Sequence, residues 1–250
     1  TKELIDDISK TTPVFVSRLD GHMGLANSHA LKLAGITKET GDPVGGLIER
    51  NPATGEPTGI LKDNAMDLIF RIIPETSEDE KNEALSAALN EAKEKGVTTV
   101  QDITEMKDFS FLHKAHQDGK LTCRIFSRLP INYYKDVIEL RASVKNDEIF
   151  SIGSLKAYSD GSLGSSTAWL FEPYHETPDN FGLPNDIVLN GELEKWATNA
   201  DKNHLQVCVH GIGDKANSFL LEMYEKIKNE NPEWDRRFRI EHAQHLRDED

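Results

Sequence analysis

Lys156, His210 and His242 each stand at the C-terminal end of an apolar, β-type run, in the segments GSLKAYSDGSLGS, VCVHGIGD and RIEHAQH. A barrel of alternating strands and helices gathers the C-terminal ends of its strands at one mouth, where residues distant in sequence can hold a metal together. The three residues in order, each followed by a helix-length stretch, predict a metal site and favour a metal-dependent hydrolase. A lysine ammonium beside a divalent cation is repelled. A lysine that has taken up carbon dioxide as a carbamate is instead an anion with two oxygens, able to bridge two cations. Alternate residues of a strand share a face. His210 is therefore expected to look inward with Cys208 and Gln206, while Leu205, Val207 and Val209 face packing helices. The same rule groups Lys156 with Ser154 and Ile152, and His242 with Ile240 and Phe238.

The elements that must position these groups change in character near residue 75. Before it, Pro13, Pro43, Pro52, Pro57 and Pro74 sit among glycines in pieces such as DPVGGLIERNPATGEPTGIL, which read as turns and brief strands, so residues 1–75 are expected to form an irregular lobe. After it the text is periodic. Ser77 and Glu80 make an S-x-x-E capping box, Ala84, Leu85, Ala88, Leu89 and Ala92 make one apolar stripe, and Gly96 stops the helix. VTTVQDI (97–103), LTCRIFSRL (121–129), IGSLKAYS (152–159), HLQVCVH (204–210) and RFRIEHA (237–243) read as strands. Helices are expected near 108–119, 134–145 and 190–203, and one opening at Asp214 with Ala216, Phe219, Leu220, Met223 and Ile227 on one face. Strands alternating with helices imply a parallel sheet. A doubly wound sheet and a (β/α)8 barrel both satisfy that pattern. The polar, glycine-rich loops after the third, fourth and fifth strands favour the barrel.

Composition excludes several function classes. With 43 acidic against 29 basic residues the formal net charge is -14, which repels a phosphate backbone, so no nucleic-acid partner is expected. No apolar run is long enough to span a membrane, and no membrane partner is expected. Cys123 and Cys208 lie apart, without CxxC spacing, which suits a reducing, cytoplasmic compartment. No GxGxxG follows a first strand, and HGIGDKAN lacks the Lys-Ser/Thr ending of a phosphate-binding loop, so a nucleotide-using α/β enzyme has little support. His29, His113, His116, His175, His204 and His245 lack strand-end ligand placement and read as ordinary surface or loop histidines. Asp214 fits a helix N-cap at least as well as a catalytic partner.

LDGHMGLANSHAL (19–31), GVTTVQD (96–102), LKAYSDGSLGSSTA (155–168), VHGIGDKAN (209–217) and RIEHAQH (239–245) together resemble the amidohydrolase superfamily, in its amidohydrolase-3 branch of N-substituted formamide deformylase-like enzymes. The resemblance runs over nearly the whole chain. It implies a (β/α)8 TIM barrel with one or two divalent metals, usually zinc, at its mouth. The ligands it implies are a His-x-His pair from strand one, a carboxylated lysine or carboxylate from strand four, histidines from strands five and six, and an aspartate from strand eight. By motif, Lys156 takes the strand-four bridging position, His210 the strand-five position and His242 the strand-six position. The implied reaction is hydrolysis of a non-peptide carbon-nitrogen bond, of amide or formamide type, by a hydroxide drawn from metal-bound water. Asp20, His22, Asn27, Asp160 and Ser162 are candidates to face a small-molecule substrate if the lobe folds over the mouth.

The chain contains no His-x-His, and only QHLRDED follows the fifth strand, so the strand-eight aspartate has no counterpart. It is therefore expected to be an internal fragment, inactive by itself. Residues 1–75 would be an insertion between barrel strands one and two, and residues 76–250 a partial barrel holding about strands two to six. An incomplete ligand set lowers metal affinity steeply, so the piece alone could hold no metal. The alternative is a non-catalytic regulatory or binding relative on the same fold. A cut barrel leaves VTTVQDI and RFRIEHA as edges with unpaired backbone groups. Self-association through those edges is predicted for the isolated chain. Light scattering should give a mass above one chain, and a single-chain mass with rapid amide exchange along both edges would refute it.

Overall fold

In the computed structural model, which describes residues 1–250, the first 75 residues build a regular antiparallel sheet rather than an irregular lobe. The chain runs through α1 (Glu3–Asp6), β1 (Phe15–Ser17), β2 (Met23–Ala26), α2 (Ser28–Leu33), β3 (Gly46–Arg50), β4 (Pro57–Asp63) and α3 (Asp67–Phe70). The four strands pair in the order β1-β2-β4-β3 over a small core that includes Ala26, Leu31, Ile48, Leu61, Met66 and Ile69. The brief strands expected among the prolines are present. Pro57, for example, is the first residue of β4, where its missing N–H costs least.

Then follow α4 (Glu78–Glu94), β5 (Thr99–Ile103), α5 (Met106–Gln117), β6 (Arg124–Pro130), α6 (Tyr134–Ser143), β7 (Phe150–Tyr158), α7 (Asp186–Leu189), α8 (Glu192–Lys202), β8 (Gln206–Gly211), α9 (Asp214–Glu230) and β9 (Arg239–His242). Helix α4 opens on the capping box read from the sequence, with Ser77 and Glu80 each accepting the other's backbone N–H. Helix α9 differs from expectation at its start. Gly213 is the cap residue, and Asp214 is the first helical residue, its carboxylate accepting the N–H of Phe171 at 3.0 Å. No helix is long and apolar enough to cross a membrane.

The five later strands are all parallel and lie in the unbroken order β5-β6-β7-β8-β9. A doubly wound sheet reverses its order at a switch point, whereas a barrel advances one strand at a time. The order here is the barrel's. Leu129, Phe150, Leu155, Val207 and Val209 turn to the helix side and form one core with Leu193, Ala197, Leu220, Met223 and Ile227 of the helices. The sheet curls so far that Arg239 of one edge strand donates to Gln101 of the other. The result is a parallel, five-stranded half barrel.

Strict alternation fails in β7, and the failure sets up the site. Ile152 pairs with Ser127 but Ser154 pairs with Arg128, so one extra residue, Gly153, bulges out of the ladder. Phe150 and Ile152 before the bulge, and Leu155 and Ala157 after it, all reach the helix-side core. Ile152 therefore does not share the face of Lys156, as uninterrupted alternation predicted. The bulge also needs a glycine, because a Cβ at 153 would lie 2.0 Å from the Phe126 ring. Gly153→Ala is expected to destabilise the protein by about 1–3 kcal/mol through overpacking. A urea midpoint equal to that of the unsubstituted protein would show that Phe126 yields freely.

Candidate active site

The sheet's C-terminal edge brings Lys156, His210 and His242 to one cleft of about 720 Å³, which Asp20, His22, Arg128, Tyr158, Ser162 and Glu241 also line. Lys156 pairs in register with Cys208, two residues before His210 on the next strand. Cys208 and His210 stay out of the helix-side core while Val207 and Val209 join it, as period-two alternation requires. In β9 alternation does not carry His242 inward. Ile240 and Phe238 pack toward the helices, and His242 would follow them but for its φ of 77°, which turns the chain and sets its ring 4.6 Å from that of His210. The residue that alternation does send inward is Glu241, opposite His210.

Glu241 is the hub of the site's charges. One carboxylate oxygen accepts from Lys156 Nζ at 2.8 Å, and the other pairs with Arg128. Arg128 also donates to the Gln101 carbonyl at 2.9 Å. Burial would raise the Glu241 carboxyl, but the Lys156 hydrogen bond and the charges of Lys156, Arg128 and Arg239 overcome it and hold the group below the usual carboxylate range. Burial pulls Lys156 below an ordinary lysine, and Glu241 opposes that pull. The ammonium lies 4.2 Å from the Tyr158 ring centroid and donates to the Ala157 carbonyl at 3.2 Å.

The histidines are in the opposite state. His210 Nε2 lies 2.9 Å from the Gly161 carbonyl, which can only accept, so the proton is on Nε2 and Nδ1 keeps its lone pair. Burial pushes its pKa down to about 3, and burial lowers His242 as well. Two neutral imidazoles, one oriented by a carbonyl, fit a divalent cation. Lys156 as an ammonium paired to Glu241 does not fit one, and no group of three His, Cys, Asp or Glu side chains converges to hold a metal.

The candidates for substrate contact divide. Asp20 and His22, at the tip of the β1–β2 hairpin, and Ser162, in the loop after β7, line the cleft. Asp160 is structural in this arrangement. Its carboxylate accepts the N–H groups of Trp169 at 2.9 Å, Ile212 at 3.1 Å and Gly213 at 2.9 Å, fastening that loop to the turn that opens α9, and burial pushes its pKa up to about 6. Asn27 lies outside the cleft. It is fully buried as the N-cap of α2, accepting from Ala30 and Val14 and donating to the carbonyls of Ser9 and Thr12. Sequence reasoning missed Glu241, Arg128 and Asp63, whose Oδ1 lies 2.7 Å from His22 Nδ1. A charged residue inside the apolar strand at 124–130 was a usable signal for Arg128, and its position between two strand-end residues was one for Glu241. Asp63 has no such signal.

An amidohydrolase family model, of the amidohydrolase-3 group, matches residues 1–250. The chain is 44% identical over 256 residues to Protein LONG AFTER FAR-RED 3 of Arabidopsis thaliana, which covers 97% of this chain and 43% of that protein. It is 26% identical over 259 residues to N-substituted formamide deformylase of Arthrobacter pascens, covering 97% of this chain and 46% of that protein. The crystal structure of an uncharacterized metal-dependent hydrolase from Pyrococcus furiosus aligns with a TM-score of 0.68 at 26% identity, over 100% of this chain and 49% of that one. The chain thus spans about half the length of the curated relatives it matches.

The protonation state of His210 has a consequence for stability. An unfolded histidine takes its proton near 6.5 and the folded one only near about 3, so between these values the unfolded chain binds more protons and stability is lost as the pH is lowered. The slope is at most about 1.4 kcal/mol per pH unit. The stability advantage of the unsubstituted chain over His210→Asn should narrow as pH falls through that window, measured by urea unfolding without added metal. A pH-independent difference would show that His210 is not held neutral.

Proposed function

Because the chain belongs to the amidohydrolase family, in its amidohydrolase-3 branch, we propose that the longer protein of which it forms a part is a metal-dependent hydrolase of a non-peptide carbon-nitrogen bond. The observation that carries the proposal is the pair of neutral imidazoles, His210 and His242, meeting at the C-terminal edge of a parallel half barrel beside a buried lysine. Residues 1–75 are proposed to be an insertion between the first two barrel strands, and residues 76–250 to hold strands two to six.

In this reading His210 and His242 would hold a divalent cation, with zinc the first candidate, and Lys156 would join them only as a carboxylated lysine freed from Glu241. A bound divalent cation supplies Lewis acidity, which lowers the pKa of water and polarises a carbonyl. The rest of the work falls to the chain. Gly161 fixes the tautomer of His210 through its carbonyl. Asp160 holds the loop after β7 against the turn that opens α9. Arg128 keeps a fixed positive charge beside Glu241. Asp20 and His22 of the β1–β2 hairpin tip form part of the cleft wall. The aspartate that would move protons is assigned to a part of the protein outside residues 1–250. A second reading, a binding or regulatory relative, draws on the Lys156–Glu241 ion pair, which holds the lysine as a cation.

Metal analysis of the full-length protein, with a panel of N-acyl and formamide substrates, separates the two. The hydrolase reading expects bound divalent metal and turnover, with His210→Ala and His242→Ala each weakening metal binding by about tenfold or more. A full-length protein whose metal content is nil, or is indifferent to both substitutions, would favour the binding relative.

A further inference from the structure

His22 lines the same cleft as Lys156, His210 and His242, with its ring 5.0 Å from that of His210. Its Nδ1 lies 2.7 Å from Asp63 Oδ1. A carboxylate only accepts, so Nδ1 carries the proton, and the neutral imidazole held this way has its lone pair on Nε2. No group of the protein donates to Nε2, which makes His22 an acceptor turned to a cleft whose other walls carry the donors Arg128 and Lys156.

The fold holds this pair firmly. The backbone N–H of Asp63 donates to the His22 carbonyl at 3.1 Å, so the two residues are joined through main chain and side chain. Asp63 adopts φ 47°, ψ -127°, a conformation a non-glycine residue keeps only when its surroundings impose it. Its second oxygen, Oδ2, is buried without a partner, and Gly161 must lack a side chain there, since a Cβ would come within 2.8 Å of that oxygen. The hairpin is clamped to the loop after β7 by Arg18, donating to the Gly164 carbonyl at 2.6 Å. Lys62 adds a second clamp, donating to the Ser165 carbonyl at 3.0 Å. The strained aspartate leaves one buried oxygen without a partner. It does fix an imidazole in one tautomer.

We propose that His22, positioned by Asp63, accepts a hydrogen bond from the N–H of the substrate's amide, so that the site prefers amides bearing an N–H to N,N-disubstituted amides. The proposal rests on the hydrolase reading for its bond class, but binding tests it without turnover. A half-buried acceptor in a cleft penalises a ligand that covers it without supplying a donor, because the acceptor then loses water and gains nothing.

The test is the binding of N-methylformamide and N,N-dimethylformamide to the full-length protein by ligand-observed NMR titration, in the unsubstituted protein and in His22→Ala, His22→Gln and Asp63→Asn. The expected preference for N-methylformamide is about tenfold. It should fall to about one in His22→Ala, weaken in Asp63→Asn, and persist in His22→Gln, whose side-chain carbonyl is also an acceptor. Persistence in His22→Gln together with loss in His22→Ala is a pattern that a purely structural role would not give. Equal binding of the two formamides, no binding of either, or an unchanged preference in a folded His22→Ala would overturn the proposal. Preference without any hydrolysis would leave it standing and remove the hydrolase reading instead.

Discussion

The burial of one positive charge in the middle of a sheet governs the rest of this structure. Lys156 is 4% exposed on the central strand of five, and an unpaired ammonium there would be expelled or neutralised. Its partner, Glu241, comes from the edge strand β9, and Glu241 in turn holds Arg128 of β6. Residues on β6 and β9 of a flat sheet would stand about three strand spacings, roughly 14 Å, apart. They touch only because the sheet is rolled. Removing one member of such a buried group typically costs about 3–5 kcal/mol, because the remaining charge is stranded. Charge pairing and barrel curvature are thus the same constraint seen from two sides.

The same mouth keeps its cations and its lone pairs apart. On one side Arg128 and Lys156 share a carboxylate held ionised by their presence. On the other, burial keeps His210 and His242 unprotonated, and the nearby Lys156 charge adds to the effect. Neutral imidazoles beside a compensated cation form a site that can receive a further positive ion without first releasing a proton from either ring. What it must release is the grip of Glu241 on Lys156.

Most of the half barrel could be read in the sequence. Its strands stand out as β-type runs between helices with apolar faces, and α4 opens on the capping box written in its sequence, so local chemistry and tertiary fold agree there. Of the three strand-end residues, His210 obeyed alternation, whereas Lys156 and His242 reached the cleft through a bulge at Gly153 and a positive φ at 242. Neither irregularity is a property of residue type at that position alone. The lobe was harder to read because its strands are short and its prolines fall at their ends. The Asp63–His22 pair joins positions 41 apart across an antiparallel register that no local pattern announces. Asn27 and Asp160 look like substrate residues in the sequence because polar residues in glycine-rich segments often are. In the fold their polarity answers buried backbone groups.

The cleft is built from the two ends of a long stretch of chain, and that has a cost in time. Asp20 and Ser162, which approach to 3.5 Å across it, are 142 positions apart. At a synthesis rate of about 5–20 residues per second, the hairpin tip leaves the ribosome roughly 7–28 s before Ser162 does. Once Ile69 has followed, the lobe has the residues of its own small core but no surface to close upon. A cell making this protein must therefore carry a folded, unpartnered hairpin through much of translation, and whatever slows elongation between the two segments lengthens its exposure.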